Sequence, residues 1–370
     1  MQIRETVMLP RALRVRWADG TSAEFPYLWL RDNCPSGFHP QTRERQFDLL
    51  SVGEDVRPAR VEADGDALTV DWAGEPGHRS RFEAVWLRSH RPGEAATDPA
   101  EVPVTTWGSD YAIPRFPAAD LLASDEALLA WLVDARRHGL GIVTGLAAEP
   151  AAGVAVGERV GFLRRTNFGR TFEVVNKPDP NNLAYTAEAL PLHTDMPNHE
   201  LPPGFQFLHC VANEADGGES VFADGFRVAE RVSQRDSAAF DLLCRVPIPF
   251  RFHDRDDDIR ARRPVVGLDE RGRVGEIRYS PHLADPFDAA PELLTDYYRA
   301  YRLFMAETRD VANVVRVKLR AGEMAVFDNR RVLHGRTRFF PNTGFRHLHG
   351  FYVDRSEFDS RVRVLTRRAH

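Results

Sequence analysis

The chain is poor in several things, and each shortage removes a class of function. No stretch of its 370 residues approaches the roughly 18 to 20 consecutive apolar positions that a membrane helix needs. The opening MQIRETVMLPRALRVRW likewise has no apolar core of the kind a secretory signal requires. A cytoplasmic protein with no membrane partner is expected. Cysteine is scarce: Cys34, Cys210 and Cys244 are too few and too scattered for a disulfide framework, which fits a reducing compartment. Net positive charge is missing too, with 49 basic against 54 acidic residues and a formal charge of -5. Without a broad positive field nucleic acid is set aside as a partner. Lysine is nearly absent, Lys177 and Lys318 being the two in the chain, so the basic residues are almost all arginine. No internal repeat or low-complexity segment is evident. What is there, 43% hydrophobic and 28% charged residues, excludes disorder, collagen and coiled coil and suffices for roughly two domains of 100–200 residues.

The first ninety or so residues alternate apolar and polar in short runs, Leu13-Arg14-Val15-Arg16-Trp17 and Ala67-Leu68-Thr69-Val70-Asp71-Trp72. Turn formers such as Ala18-Asp19-Gly20 and Asp64-Gly65-Asp66 break them, so residues 1–92 read as a small antiparallel β domain. RPGEAATDPAEVPVTTWGSDYAIP has neither helical nor strand period, and 93–114 is expected to be a linker. Ser124-Asp125-Glu126 then caps an amphipathic run ending at Gly139, and Leu140-Gly141-Ile142-Val143-Thr144 reads as a buried strand. Beyond Asn181 come many short strands, including PGFQFLHCVA and EMAVFDN, interrupted by the helical block ELLTDYYRAYRLFMAETRD. The expected fold is mainly β with flanking helices, residues 115–370 forming a jelly roll.

The most informative residues are Leu192-His193-Thr194-Asp195, with His334 far downstream in VLHGR. In an extended segment residues i and i+2 share a face, so His193 and Asp195 can reach one metal ion while a distant strand supplies the third ligand. Two imidazoles and one carboxylate on one face of an octahedron leave the opposite positions open, as in non-haem Fe(II) oxygenases. An isolated H-x-D also arises by chance, and a lone histidine after apolar residues is usually structural. Arg346, in GFRHLHGFYV, adds weight: a strand returning past the metal can offer its rigid fork to the far carboxylate of a chelating 2-oxoacid. Ser220, in GGESVFADG, offers a hydroxyl to the same carboxylate.

The segments NNLAYTAEALPLHTD, PPGFQFLHCVANEADGGES, FDNRRVLHGR and RHLHGFYVD resemble the γ-butyrobetaine dioxygenase group of the 2-oxoglutarate-dependent oxygenases. That group includes trimethyllysine dioxygenase and bacterial hydroxylases of aminoalkylphosphonates. The likeness extends into the first domain through LWLRDNCPSGFHP and GHRSRFEAVWLR and so covers nearly the whole chain. It implies a double-stranded β-helix core, a homodimer, Fe(II) held by His193, Asp195 and His334, and 2-oxoglutarate anchored by Arg346. It further implies that dioxygen is used to hydroxylate an unactivated C–H bond while 2-oxoglutarate is decarboxylated to succinate.

For the substrate, the resemblance points to Phe168, Phe172, Tyr185 and Tyr352 as an aromatic cage for a quaternary ammonium group. On the residues alone these rings are equally well read as core. Met196 follows the H-T-D triplet where animal members have an aromatic. Asn182 matches an asparagine that binds the butyrobetaine carboxylate, whereas Ser280-Pro281 stands in place of paired asparagines. Asn182, Asn198, Arg278 and Ser280 together could satisfy a tetrahedral phosphonate if they converge. For Arg278 and Asn198 a structural role is the alternative. The expected substrate is therefore of γ-butyrobetaine type, with 2-aminoethylphosphonate or 2-(trimethylamino)ethylphosphonate as alternatives. Two other readings of the chain are a zinc-dependent hydrolase using the same triad and a silent binding protein. In the first domain, Cys34, His39 and His78 form a possible zinc set, with Ser36 standing where the family has a further cysteine. Loss of the metal in favour of hydrogen bonds is the competing expectation there.

Overall fold

The computed structural model describes residues 2–94, 97–180 and 182–369. Two compact units divide between Asp98 and Pro99. Among the described residues no helix is long and apolar enough to cross a membrane.

The first unit is one motif built twice. Three antiparallel strands, Ile3–Met8, Ala12–Trp17 and Ser22–Pro26, lead into the short helix Tyr27–Asp32. Pro58–Ala63, Ala67–Trp72 and Arg79–Glu83 lead in the same way into Ala84–Ser89. The halves share a sequence pattern that a reading for longer repeats misses: Ala-Leu-x-Val-x-Trp-Ala begins at Ala12 and again at Ala67, and Trp-Leu-Arg recurs at Trp29 and Trp86. The turn between them is two residues longer in the second half, which conceals the register. Equivalent residues fill the core, with Leu13, Val15, Trp17 and Phe25 against Leu68, Val70, Trp72 and Phe82. Each half also ties the other. Arg31 pairs with Glu75 in the second turn at 2.8 Å, and Arg88 pairs with Asp19 in the first at 3.1 Å.

The segment expected to be a linker does not stay outside the second unit. Its 99–114 portion belongs to that unit. There Trp107 is buried, stacks on Tyr111 and donates from Nε1 to the His138 carbonyl. Absence of a period in the sequence signalled irregular backbone, and irregular backbone can pack well once its polar groups find partners.

The second unit is a jelly roll of two sheets, mainly β with flanking helices. The larger runs in the order Arg115–Pro117, Leu140–Thr144, Met324–Asp328, Phe205–Asn213, Arg346–Val353, Phe172–Val175, antiparallel except for its first pair. The smaller runs Leu190–His193, Val332–Arg336, Ser220–Asp224, Val314–Val317. Strand alternation sorts the side chains. Leu208, Cys210, Ala325, Phe327 and Leu348 of the larger sheet meet Phe222, Val315 and Val332 of the smaller one. Phe205, Phe207, Val326 and Phe351 point the other way, onto helices Asp125–His138, Pro150–Val160 and Arg355–Ala369. Removing one such ring, as in Phe207→Ala, would cost about 3–5 kcal/mol. The helix Asp125–His138 begins and ends where its residues dictate: Ser124 Oγ accepts from Ala127 N, and Gly139 closes it in the left-handed region at φ 78. Helices Gly225–Arg235, Ser237–Arg245 and Pro291–Arg309 pack with Ala223 and Leu333 of the smaller sheet.

Candidate metal centre and substrate pocket

Adjacent antiparallel strands bring the two histidines together. His193 closes Leu190–His193 and is the register partner of His334, with ring centroids 4.3 Å apart. The strand stops there, so simple alternation does not deliver Asp195. Other contacts hold it: Asn329, fully buried, accepts from Asp195 N at 2.6 Å and donates to Asp195 O at 3.0 Å. Thr194 N donates to Tyr279 O at 2.7 Å and Thr194 Oγ1 accepts from Tyr279 N at 3.1 Å. Met196, the next pocket residue, takes φ 54, a left-handed conformation that is rare for a side chain of its size.

Asp195 Oδ1 lies 3.2 Å from His193 Nε2 and 3.6 Å from His334 Nε2. Among the described residues this is the one group of three donors that converges, all within 4.8 Å of one another. The Pro191 carbonyl lies 2.9 Å from His193 Nδ1 and can only accept, so the proton sits on Nδ1 and the lone pair on Nε2 faces the centre. Burial, then the neighbouring His193, pushes the His334 imidazole down to about 3, which keeps it neutral. Burial alone would raise Asp195, but the polar groups around it, the Tyr352 hydroxyl among them, hold the carboxylate below its usual range. Tyr352 donates to Asp195 Oδ2 at 2.6 Å, leaving Oδ1 to the centre. Two imidazoles and one carboxylate suit a divalent first-row metal.

Arg346, in the returning strand, is 5% exposed and its Nε has no partner. Among the described residues no carboxylate pairs with it, and its neighbours are the Phe339 ring at 5.5 Å and Gly218. A side chain on Gly218, at φ +67, would meet Arg346 Nε at 2.9 Å. Burial, then Arg336, draws the guanidinium down to about 9, still a cation at neutral pH. A buried, unpaired cation calls for an anion. Ser220, 6% exposed, shares the inward face of its strand with Phe222.

One pocket opens on the metal ligands His193 and Asp195. Phe168, Phe172, Tyr185 and Tyr352 all line it, as do Asn182, Met196 and Asn198. Phe172 stacks on Tyr352 at 5.2 Å, and Phe168 meets Phe252 edge-on at 5.4 Å. Arg278 and Ser280 do not line it. Arg278 donates to the His199 and Glu200 carbonyls, each at 2.9 Å, and to Glu276, which makes it a brace for that loop.

The model of the Taurine catabolism dioxygenase TauD, TfdA family matches residues 100–352, and that of the Gamma-butyrobetaine hydroxylase-like, N-terminal domain matches 8–88. The chain belongs to the TauD/TfdA dioxygenase family. It is 42% identical to a gamma-butyrobetaine dioxygenase of Pseudomonas sp. (strain AK-1), over 95% of this chain and 93% of that one. To the gamma-butyrobetaine dioxygenase of Homo sapiens it is 30% identical, over 96% and 95%. In fold it is similar to an asparagine oxygenase solved with Fe(II), hydroxyasparagine and succinate, at TM-score 0.52 and 20% identity, over 65% of this chain and 93% of that one. The protein is thus an Fe(II)- and 2-oxoglutarate-dependent dioxygenase of the γ-butyrobetaine dioxygenase-like group, with His193, Asp195 and His334 as its triad. None of these relatives supports a zinc-dependent hydrolase.

In this dioxygenase several site residues escape a sequence reading. Asn329 has no motif that marks it as a clamp. Arg336 donates to the carbonyls of Ala184, Thr186 and Glu188, steadying the loop that carries Tyr185. Phe252 and His282 join the pocket from elements remote from the H-T-D segment, while Asn167 and His199 adjoin Phe168 and Asn198. Gly350 was legible only as a strand residue, yet a side chain there would run into the Phe172 ring.

The zinc set of the first unit does not assemble. Cys34 Sγ lies 3.1 Å from Ser36 Oγ and 3.6 Å from His78 Nε2, but His39 is not part of this group. His39 Nδ1 instead accepts from the backbone N–H groups of Gln41 and Thr42. The corner continues as a 3.5 Å contact between His78 Nε2 and Ser80 Oγ and a hydrogen bond from Trp72 Nε1 to Ser80 Oγ. With a serine in a ligand position and the second histidine turned away, these donors do not fit tetrahedral zinc.

Proposed function

We propose that this dioxygenase hydroxylates a γ-butyrobetaine-type zwitterion, with a trimethylammonium group at one end and a carboxylate at the other. The observation that carries the reading is an aromatic pocket wall, Phe168, Phe172, Phe252 and Tyr352, beside the metal ligands. A quaternary ammonium group has no N–H to donate and is drawn to ring faces, by roughly 0.5–2 kcal/mol. The 42% identity to a protein named for that substrate adds support.

Fe(II), when bound, supplies dioxygen activation with 2-oxoglutarate as the reductant. The chain's own residues do the rest. Arg346 and Ser220 would hold the far carboxylate of 2-oxoglutarate, while Tyr352 and Asn329 fix Asp195. The aromatic walls exclude water and orient the C–H bond. The phosphonate alternatives lose two of their four donors, because Arg278 is engaged with backbone carbonyls and neither it nor Ser280 lines the pocket. By family likeness we also infer a homodimer, which a sedimentation measurement tests.

Protein reconstituted anaerobically with Fe(II), then given oxygen and 2-oxoglutarate, should form succinate fastest with γ-butyrobetaine. 4-Aminobutyrate and 2-(trimethylamino)ethylphosphonate should be slower. A faster rate with either would overturn the reading.

A further inference from the structure

A single side chain touches both the substrate pocket wall and the co-substrate anchor. Arg336 closes the strand Val332–Arg336 two residues beyond His334 and therefore shares its face. Its register partners are Ser220 on one side and Leu190 on the other. Nη1 donates to Ala184 O at 3.1 Å, and Nη2 to Thr186 O at 2.7 Å and Glu188 O at 2.8 Å. These carbonyls belong to the 182–188 segment, which brings Asn182, Ala184 and Tyr185 to the pocket. That segment holds one short turn, Leu183–Tyr185, and no strand, so side-chain bonds of this kind set its place. Phe339 N adds another, to Ala187 O at 3.1 Å.

On the anchor side one ring carries two cations. The Phe339 centroid lies 4.9 Å from the Arg336 guanidinium and 5.5 Å from that of Arg346. Both arginines are buried, and the Nε of each is without a partner. Among the described residues no carboxylate bears on either, while Arg336 bears on Arg346. Two like charges this close repel, the more strongly where water is excluded. Arg346 sits in the middle of the jelly roll on Arg346–Val353, whereas Arg336 holds a segment of irregular backbone. Repulsion between them is therefore borne by the grip of Arg336 on the 182–188 carbonyls.

We propose that Arg336 is a positioning residue that couples the co-substrate carboxylate site to the wall of the substrate pocket. With a carboxylate held by Arg346 and Ser220, Arg336 is attracted where it was repelled, and it draws Tyr185 and Asn182 against the pocket. The proposal rests on the reading of Arg346 and Ser220 as the anchor, not on the identity of the substrate. Coupling between two bound ligands is reciprocal and is commonly about 5- to 150-fold.

The test uses full-length protein loaded anaerobically with Fe(II) and saturated with either 2-oxoglutarate or 2-oxopentanoate, which keeps the oxoacid end but lacks the far carboxylate. Amide hydrogen exchange over residues 183–188 is the readout. In wild-type protein 2-oxoglutarate should slow that exchange about fivefold or more relative to 2-oxopentanoate, and should lower the Kd of γ-butyrobetaine by a similar factor. In Arg336→Gln both differences should shrink to within about twofold, and Arg336→Lys, which keeps the charge without the fork, should retain part of them. Equal exchange under the two oxoacids in wild-type protein would overturn the proposal without recourse to any variant. So would an Arg336→Gln protein in which exchange quickens under both oxoacids while their ratio stays as in wild type, since Arg336 would then be a brace alone. Equal affinity of wild-type protein for the two oxoacids, read before any exchange, would instead remove the anchor itself and the proposal with it.

Discussion

Among the described residues two clusters of metal-type donors invite comparison, and the donors of one of them converge as a metal would require. At His193 and Asp195 a supporting partner leaves the ligating atom free, Pro191 O for His193 and Tyr352 for the far oxygen of Asp195, while His334 Nδ1 is buried without one. At Cys34 and His78 the same residue types instead satisfy one another, through Ser36 and Ser80, and His39 is occupied by backbone N–H groups. Residue type is therefore a weak guide to metal binding. What separates the clusters is whether the lone pairs remain unused and point to one place.

The sharpest way to break the comparison is to remove a ligand from the first cluster. His334→Ala should lower Fe(II) affinity by more than about 100-fold, because loss of even a supporting partner commonly costs 10–100-fold. Metal content after dialysis and substrate-stimulated succinate formation check it; retained iron would return the triad to an ordinary polar core. Arg346→Ala should weaken 2-oxoglutarate binding by about 2–5 kcal/mol, since the buried carboxylate loses its charge-assisted partner. The readout is the 2-oxoglutarate concentration needed for half-maximal succinate formation. An unchanged requirement would remove Arg346 from the site.

The sequence was informative where chemistry is local or periodic. The cap at Ser124, the stop at Gly139 and the strand Leu140–Thr144 follow from side-chain rules acting over a few residues. His193, Asp195 and His334 were visible because few folds need that trio. Arg346 was visible because it follows His334 by twelve residues in a strand-like run that can return past the metal. Asn329, His282 and Phe252 were illegible for the converse reason: each reaches the site through tertiary packing, and nothing within a few residues distinguishes it from a loop or strand residue. The doubled motif of the first unit was hidden by a two-residue difference in turn length, although Trp17 and Trp72 mark the same place in each half. The fate of 99–114 was hidden by a rule that treats lack of period as lack of packing, which Trp107 contradicts.

The smallest expected effect sharpens the comparison from its other side. If the Cys34 corner is held by hydrogen bonds, His78→Ala removes a long contact to sulfur and another to Ser80, while Trp72 Nε1 keeps its 2.8 Å bond to Ser80. The expected cost is about 1 kcal/mol or less, a small fall in Tm. A structural zinc would behave otherwise, since its binding free energy of roughly 10 kcal/mol or more becomes folding free energy. In His334→Ala, whose iron site is disabled, the melting temperature should accordingly be the same with added zinc or with a chelator. A zinc-dependent rise of several degrees, abolished in His78→Ala, would mean that the corner closes around metal, and that three donors with Ser36 suffice where the geometry argues against it.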